Sequence, residues 1–274
     1  MKKLITRTIT GIVLVLVILT AIWMSQYSYA ALFVLIMTGG LIEFSNFYKQ
    51  SEVKPITWLI FLISFLLFVT FYFVANGAIG AKYLLFLFPL FLLTMAAELY
   101  RKQPKPIENI AVTLFSIIYL AIPLSLINFL VFPEIFPGNN YSPKLLIALF
   151  VLIWTYDSGA YLFGVSMGKH RLFERISPKK SWEGAIGGAL TSLIAAFIIA
   201  GYIPEIRINH WIAISIVTVI SSTFGDLTES MFKRYFGVKD SAHILPGHGG
   251  VLDRFDSLLF AVPVFVVYLK IFIE

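Results

Sequence analysis

The sequence predicts an all-α protein that crosses a membrane about nine times. Of its 274 residues, 59% are hydrophobic and 13% are charged, whereas soluble domains carry about 25% charged residues. The mean hydropathy is +0.87. So few polar groups could not cover a water-facing surface, and a separate soluble domain has no room. The lack of cysteine excludes disulfides, thiolate metal ligands and a cysteine nucleophile.

Nine stretches are long and apolar enough to be transmembrane helices, since about 20 apolar residues cross the hydrocarbon core. They cover residues 5–24, 28–47, 56–76, 82–99, 109–133, 144–167, 183–203, 210–229 and 256–273. The positively charged start resembles that of a signal peptide. However, the first apolar run is long for a signal core and eight more follow, so we expect a membrane span there.

The distribution of Lys and Arg predicts the orientation. The N-terminus and the loops after the second, fourth, sixth and eighth segments hold 17 of the 21 Lys and Arg residues. The positive-inside rule places these parts in the cytoplasm. The net charge of +6 fits contact with anionic lipid headgroups, and we expect no nucleic-acid partner.

Acidic side chains in the apolar parts of the predicted spans include Glu43, Glu98 and Asp157. A carboxylate in hydrocarbon is costly and is a functional hypothesis by default. For Glu43 and Glu98, snorkelling to the interface or pairing with Lys49 or Arg101 is an equal explanation. Asp157, in the run W-T-Y-D-S-G-A-Y-L-F-G, must face the bundle interior, a cavity or a cation, or make a structural hydrogen bond. The small residues after it favour close helix packing.

The loop after the sixth segment carries S-P-K-K-S-W-E-G from Ser177 to Gly184. Pro178 suits the start of a helix. Lys179 and Lys180 would then lie beside the free N–H groups of a helix N-terminus, which form an anion site. The two lysines could equally reflect only the positive-inside rule. Together with the acidic residues elsewhere in the chain, they favour phosphate binding.

The longest polar stretch runs from Gly225, near the end of the eighth segment, to Asp256 and reads G-D-L-T-E-S-M-F-K-R-Y-F-G-V-K-D-S-A-H-I-L-P-G-H-G-G-V-L-D-R-F-D. Asp226, Glu229 and Ser230 share one face if they are helical. Asp253 and Asp256 are also three residues apart, at the start of the last segment. Two acidic pairs on neighbouring helix ends could converge on Mg²⁺, which carboxylates and substrate phosphates bind. A charged loop that is only solvated is the alternative.

These stretches resemble the signature of the phosphatidate cytidylyltransferases, or CDP-diacylglycerol synthases. That signature reads in outline S-x-apolar-K-R, four residues, K-D, then P/G-x-H-G-G-apolar-x-D-R-apolar-D, and S-P-K-K-(S/T)-W-E-G is a second family motif. The resemblance begins at Asp157, and the first half matches only in being multi-spanning. The filled signature positions are Ser230, Lys233, Arg234, Lys239, Asp240, Pro246, His248, Gly249, Gly250, Asp253, Arg254 and Asp256.

The resemblance implies an enzyme of phospholipid biosynthesis that transfers CMP from CTP to phosphatidic acid, giving CDP-diacylglycerol and pyrophosphate. It implies one or two bound Mg²⁺ ions, with CTP, phosphatidic acid and membrane lipids as partners, and it leaves a homodimer open. The expected place is the cell inner membrane, with the active site facing the cytoplasm. Residues 1–140 would form about five N-terminal spans, and residues 141–274 the catalytic region.

Candidate roles follow for the charged residues of the second half. The expected catalytic residues are Asp226, Asp253, Asp256, Lys239, Asp240 and His248. Among these, Asp226, Asp253 and Asp256 are the expected metal ligands, with Asp157 and Asp240 as second candidates. The expected substrate-binding residues are Ser177, Lys179, Lys180, Lys233, Arg234, Arg254 and Asp157.

Two other classes of protein fit part of the pattern. Intramembrane acids, glycines and many helices suit a proton- or cation-coupled transporter. Against a transporter, no inverted repeat is visible, and the charges are concentrated at one face of the membrane rather than at the midplane. A cytidylyltransferase acting on another lipid phosphate, such as a prenol phosphate, is the second alternative.

Overall fold

The computed structural model describes residues 2–136, 140–242 and 249–274, with side chains described from residue 8 onward. The chain forms two compact units. The first comprises Met1–Pro133, Asn139–Tyr141 and Asp240–Arg254. The second comprises Glu134–Gly138, Ser142–Lys239 and Phe255–Glu274.

The first unit is built from helices that follow one another along the chain. They are α1 (Lys2–Met24), α2 (Gln26–Phe47), α3 (Thr57–Ala75), a 3₁₀ helix (Ala81–Phe86) leading into α4 (Leu87–Arg101), α5 (Pro106–Ser116), a π-helix (Ile117–Ala121), α6 (Ile122–Leu126) and α7 (Asn128–Val131).

The second unit contains long helices and one short hairpin. Its elements are α8 (Lys144–Met167), β1 (Arg171–Phe173), β2 (Ser177–Ser181), α9 (Trp182–Tyr202) and α10 (Ile208–Tyr235). The last helix, α11 (Leu252–Phe272), begins in the first unit and continues in the second.

The prediction of an all-α multi-pass membrane protein is confirmed. In the described part of the chain, eight helical stretches are long and apolar enough to cross a membrane, and α1 adds a shorter apolar run, Thr8–Met24. Each of the nine predicted segments is helical over most of its described length. Large apolar side chains on one face of α9 are exposed, at Ile186, Leu190, Ile194 and Phe197. Such a continuous apolar face suits contact with lipid rather than water.

The fifth predicted segment is not a regular α-helix. Pro123 lacks an N–H group, and its ring would clash with the carbonyl group of Tyr119 in an unbroken helix. The wider π-helix Ile117–Ala121 ends two residues before this proline. The wider turn therefore relieves the clash and lets the segment continue across the membrane.

Two helices extend beyond their predicted bounds. Helix α10 continues to Tyr235 rather than ending near residue 229, and α11 begins at Leu252 rather than 256. The added turns of α10 are polar, and an ion pair between Glu229 and Lys233 supports them at the favourable i, i+4 spacing. Hydropathy alone does not detect helical turns that are polar.

The predicted helix start at Pro178 is wrong. Pro178 lies in β2, which pairs antiparallel with β1, and proline is tolerated there because both strands are edges. Helix α9 starts at Trp182, and the Ser181 side chain caps it by accepting the Gly184 N–H at 3.1 Å. The two lysines of the motif therefore precede the helix, and Lys180 is not in its first turn.

Glycines let α8 and α9 pack closely, as the sequence predicted. A Cβ at Gly159 would lie 3.0 Å from the Gly188 Cα atom. A Cβ at Gly188 would lie 2.6 Å from the carbonyl oxygen of Tyr156. Small residues at such contacts are the usual way in which membrane helices approach one another.

We expect Gly188→Ala to lower the thermal unfolding temperature by several degrees. The added methyl group would press on the backbone of α8, and overpacking costs about 1–3 kcal/mol. Thermal unfolding in detergent, followed by tryptophan fluorescence, measures the change. Gly201→Ala is the matched control, because a Cβ at Gly201, also in α9, meets nothing within 4 Å. Equal loss in both variants would contradict close packing at Gly188.

Candidate active site

A cluster of charged side chains lies in the second unit, and each member comes from a different element. Asp157 is on α8, Lys180 on β2, Asp226 on α10 and Asp256 on α11. The charges that act on Asp256 include those of Asp226, Asp157 and Lys180. The fold therefore brings together four residues that the sequence had singled out in separate motifs.

The closest contact in this cluster is an ion pair. Lys180 Nζ lies 2.5 Å from Asp226 Oδ2, and Ser230 Oγ donates to Asp226 Oδ1 at 3.3 Å. The side chains of Lys180 and Asp226 are 26% and 34% exposed, so both are accessible to a ligand from solvent. The contact with Ser230 agrees with the predicted shared face of these residues on α10.

A glycine contact holds α10 beside α11 at the cluster. A Cβ at Gly225 would lie 2.5 Å from the carbonyl oxygen of Asp256. In addition, Ser257 Oγ donates to the carbonyl oxygen of Ser222 at 3.4 Å. Gly225 directly precedes Asp226. This close approach therefore places Asp226 and Asp256 on neighbouring turns of α10 and α11. The Asp256 carboxylate also accepts the Ser257 N–H at 2.7 Å.

Tyr156 is a member of this region that sequence reasoning missed. Its buried side chain makes a hydrogen bond to Thr223, and Thr223 Oγ1 donates to the carbonyl oxygen of Val219 at 2.8 Å. The hydroxyl proton of Thr223 is thereby used, so Tyr156 is the donor. This bond joins α8 to α10 beside Asp157. The only sequence signal was its place next to that aspartate.

Glu183, the acidic residue of the S-P-K-K-S-W-E-G motif, holds the start of the hairpin. It accepts the Lys169 N–H at 3.1 Å and the His170 N–H at 3.2 Å. The His170 ring Nδ1 is a further partner at 2.6 Å. Two residues of the motif therefore have different roles. Glu183 fixes the hairpin, and Lys180 lies on that hairpin.

In the first unit, Asp253 organises the end of the signature stretch. Its Oδ2 accepts from the Ser241 N–H at 3.0 Å, from Ser241 Oγ at 3.0 Å and from the Gly250 N–H at 2.8 Å. Gly249 has a φ of +80°, and a Cβ there would lie 2.5 Å from Asp253 Oδ2. The two glycines of the H-G-G motif therefore let a carboxylate approach the backbone closely.

Glu43 reaches the same stretch from α2. Its side chain is fully buried, and it accepts the Val251 N–H at 2.7 Å and the Leu252 N–H at 2.9 Å. Ser241 Oγ donates to Glu43 Oε2 at 2.8 Å. The residue is thus held inside the protein by the signature stretch rather than snorkelling to the interface.

Glu98, the other buried glutamate, has the partner expected from the sequence. Arg101 Nη1 lies 2.7 Å from Glu98 Oε2 and also donates to the Lys54 carbonyl oxygen at 2.9 Å. Asn109 Nδ2 donates to Glu98 Oε1 at 2.6 Å. This network ties α4 to α5 and to the loop before α3, which is a structural role.

The other predicted site residues differ in their partners and in their exposure. Lys233 pairs with Glu229 on α10, and Ser177 is partly exposed on β2. His248 falls outside the described residues, so its predicted role stays a prediction. The predicted residues with exposed side chains are Asp157, Lys179, Arg234, Lys239, Asp240 and Arg254, so Asp157 is not enclosed within its own unit.

The donor atoms of the cluster suit Mg²⁺. Within residues 2–136, 140–242 and 249–274, no three His, Asp or Glu side chains form a ready metal site. A complete set is not required, because Mg²⁺ is usually held by one or two carboxylates with substrate phosphates and water. Asp226 and Asp256 supply such carboxylates. Asp253 lies one turn earlier on α11, and its place in the metal set stays a prediction.

Fold and site define a multi-pass membrane protein whose carboxylate and lysine cluster is suited to phosphate-bearing compounds. The model of the cytidylyltransferase family matches residues 5–272. The chain belongs to this family, which confirms the resemblance recognised in its motifs.

Proteins named phosphatidate cytidylyltransferase are similar to this chain over part of its length. A phosphatidate cytidylyltransferase of Haemophilus influenzae is 52% identical over 126 residues, which is 44% of each chain. Relatives with the same name in Staphylococcus aureus and Staphylococcus haemolyticus are each 50% identical, over 122 and 123 residues. These matches cover 44% of this chain and 46% of each staphylococcal protein. The aligned stretch therefore spans less than half the length of these relatives.

Proposed function

We propose that the protein transfers CMP from CTP to phosphatidic acid, forming CDP-diacylglycerol and pyrophosphate. The observation that carries this proposal is the Lys180–Asp226 ion pair beside Asp256 and Asp157, in a chain of the cytidylyltransferase family. The name of the similar relatives, phosphatidate cytidylyltransferase, supports phosphatidic acid as the acceptor among the lipid phosphates.

The reaction needs charge neutralisation more than a strong base. A phosphate oxygen of phosphatidic acid forms a bond to the α-phosphorus of CTP. The bond from that phosphorus to the β-phosphate oxygen breaks, and pyrophosphate leaves with the electron pair. A phosphate monoester is already an anion near neutral pH. The barrier therefore arises largely from bringing two anionic compounds together, which positioned cations lower.

Each charged group of the cluster has a role in this proposal. Lys180 offers a compact positive charge to a phosphate group, and Asp226 orients that lysine through the ion pair. Asp226 and Asp256 would hold Mg²⁺, which when bound neutralises phosphate charge and orients the leaving group. The proposed phosphate contacts outside the pair are Ser177, Lys179, Lys233, Arg234, Lys239 and Arg254.

The proposal places the enzyme in the cell inner membrane with the site facing the cytoplasm. Seventeen of the 21 Lys and Arg residues fall at the N-terminus or in the even-numbered loops, which the positive-inside rule assigns to the cytoplasmic side. CTP is available on that side. The diacyl chains of the substrate would stay in the bilayer while its headgroup enters the site.

Purified protein incubated with CTP labelled at the α-phosphorus tests the proposal. We expect label to enter the organic phase with phosphatidic acid and not with prenol phosphates. Label transferred to a prenol phosphate instead would assign a different lipid substrate. If no lipid phosphate is labelled and the protein instead supports solute counterflow in proteoliposomes, then the protein is a transporter and not a cytidylyltransferase.

Metal removal gives a further expected result. Excess EDTA should lower the rate of CMP transfer by about a hundredfold or more, because the metal contributes several kcal/mol of charge stabilisation. Added Mg²⁺ should restore the rate. The thermal unfolding temperature is measured under the same EDTA and Mg²⁺ conditions. It distinguishes loss of catalysis from loss of the fold. Full activity in EDTA would remove Mg²⁺ from the proposal.

A further inference from the structure

We propose that Glu43 is a positioning residue for the signature stretch, although it lies on α2, far from that stretch in sequence. Its carboxylate fixes the start of α11, where Asp253 lies in the first turn. The catalytic consequence of this role rests on the proposed function, whereas the positioning itself does not.

The bond pattern is that of a helix cap supplied from another helix. The first N–H groups of a helix have no acceptor within the helix and form its positive end. Glu43 accepts the N–H of Leu252, the first residue of α11, at 2.9 Å, and the N–H of the preceding Val251 at 2.7 Å. Because the glutamate side chain is fully buried, these charge-assisted bonds are not weakened by water.

Ser241 couples Glu43 to Asp253. Its Oγ lies 2.8 Å from Glu43 Oε2 and 3.0 Å from Asp253 Oδ2. A serine hydroxyl has one proton to donate, so the two carboxylates share a single donor. The position of Asp253 is thus set by the same group that contacts Glu43.

Helix α2 is also shaped to receive the start of α11. A Cβ at Gly39 would lie 3.2 Å from Val251 Cγ2, and a Cβ at Gly40 would lie 3.3 Å from Leu252 Cδ2. These two glycines lie one turn before Glu43 on α2. The helix therefore supplies a close-fitting surface and a carboxylate to the same two residues.

The contrast with Glu98 separates this role from general stabilisation. Glu98 is also buried in the first unit, but its partners are side chains, those of Arg101 and Asn109. The partners of Glu43 are the backbone and Ser241 of the signature stretch. The same chemical change at each glutamate should therefore have different local effects.

Amide hydrogen exchange of the full chain in detergent tests the positioning. In Glu43→Gln we expect exchange in peptides covering residues 249–254 to be on the order of tenfold faster, since the amide keeps one acceptor oxygen and loses the charge. Glu98→Gln is the matched control and should leave those peptides unchanged. Unchanged exchange in Glu43→Gln, or an equal change in Glu98→Gln, would overturn the proposal.

The activity assay gives an independent readout. We expect Glu43→Gln to lower kcat for CMP transfer about tenfold, with the KM for CTP changed by less than about threefold. Glu43→Asp, which keeps the charge, should recover part of kcat, and Glu98→Gln should stay near the wild-type value. An effect on KM alone would contradict the role. If the wild-type protein transfers no CMP, the proposed function fails, and the exchange experiment still decides on Glu43.

Discussion

Replacing Asp226 by Asn should reduce CMP transfer by about a thousandfold while the protein remains folded. The substitution keeps the size of the side chain but removes the charge that faces Lys180 at 2.5 Å and a proposed Mg²⁺ ligand. The loss of fold stability should be small, because ion pairs between partly exposed side chains contribute about 0–1 kcal/mol. The rate of label transfer from CTP at saturating substrate measures the effect.

Glu205→Gln is the matched control for this variant. Glu205 pairs with Lys144 at 3.6 Å elsewhere in the second unit, so this change also breaks an ion pair without touching the cluster. We expect its transfer rate and unfolding temperature to match the wild type. Near-wild-type activity of Asp226→Asn would remove Asp226 from the site.

Lys180→Ala should be the next most damaging change, with about a hundredfold loss of kcat/KM. The variant removes the positive charge closest to Asp226 and leaves the acidic cluster uncompensated when phosphates approach. Lys179→Ala should have a smaller effect, mainly on the KM of an anionic substrate, because Lys179 is exposed on the neighbouring position of β2. Steady-state kinetics with CTP and phosphatidic acid varied separately resolve the two effects.

The control for the lysine variants is Lys144→Ala, which removes a lysine from a different ion pair of the second unit. Its kinetics should equal those of the wild type. If Lys179→Ala and Lys180→Ala lower kcat/KM equally, then the ion pair with Asp226 gives Lys180 no special role.

The membrane helices could be predicted because a bilayer requires long apolar segments whose backbone groups are satisfied within the helix. The features that differed depend on other forces. The last turns of α10 are supported by charge pairing between Glu229 and Lys233. The β1–β2 hairpin depends on backbone pairing and on Glu183, which binds the N–H groups of Lys169 and His170. Hydropathy carries no information on either.

The candidate site was predictable where charge was unusual for its surroundings. Asp157 inside an apolar run, and Asp226 and Asp256 at helix ends, could be named from the sequence, and the fold groups them with Lys180. Glu43 could be noticed but not explained. Besides the Ser241 hydroxyl, its partners are backbone N–H groups 208 and 209 positions away, and a backbone group has no signature in the sequence.

The length of α10 links the acidic cluster to bilayer thickness. This helix has 28 residues and is therefore about 42 Å long, whereas the hydrocarbon core is about 30 Å thick. Asp226 follows Ile208 by 18 residues, or about 27 Å along the axis. For a helix that enters the hydrocarbon at Ile208 along the bilayer normal, the carboxylate would lie near the depth at which hydrocarbon gives way to headgroups. A thicker membrane would then draw this carboxylate toward the apolar region through hydrophobic mismatch, so we expect the proposed CMP transfer to depend on the thickness of the host bilayer.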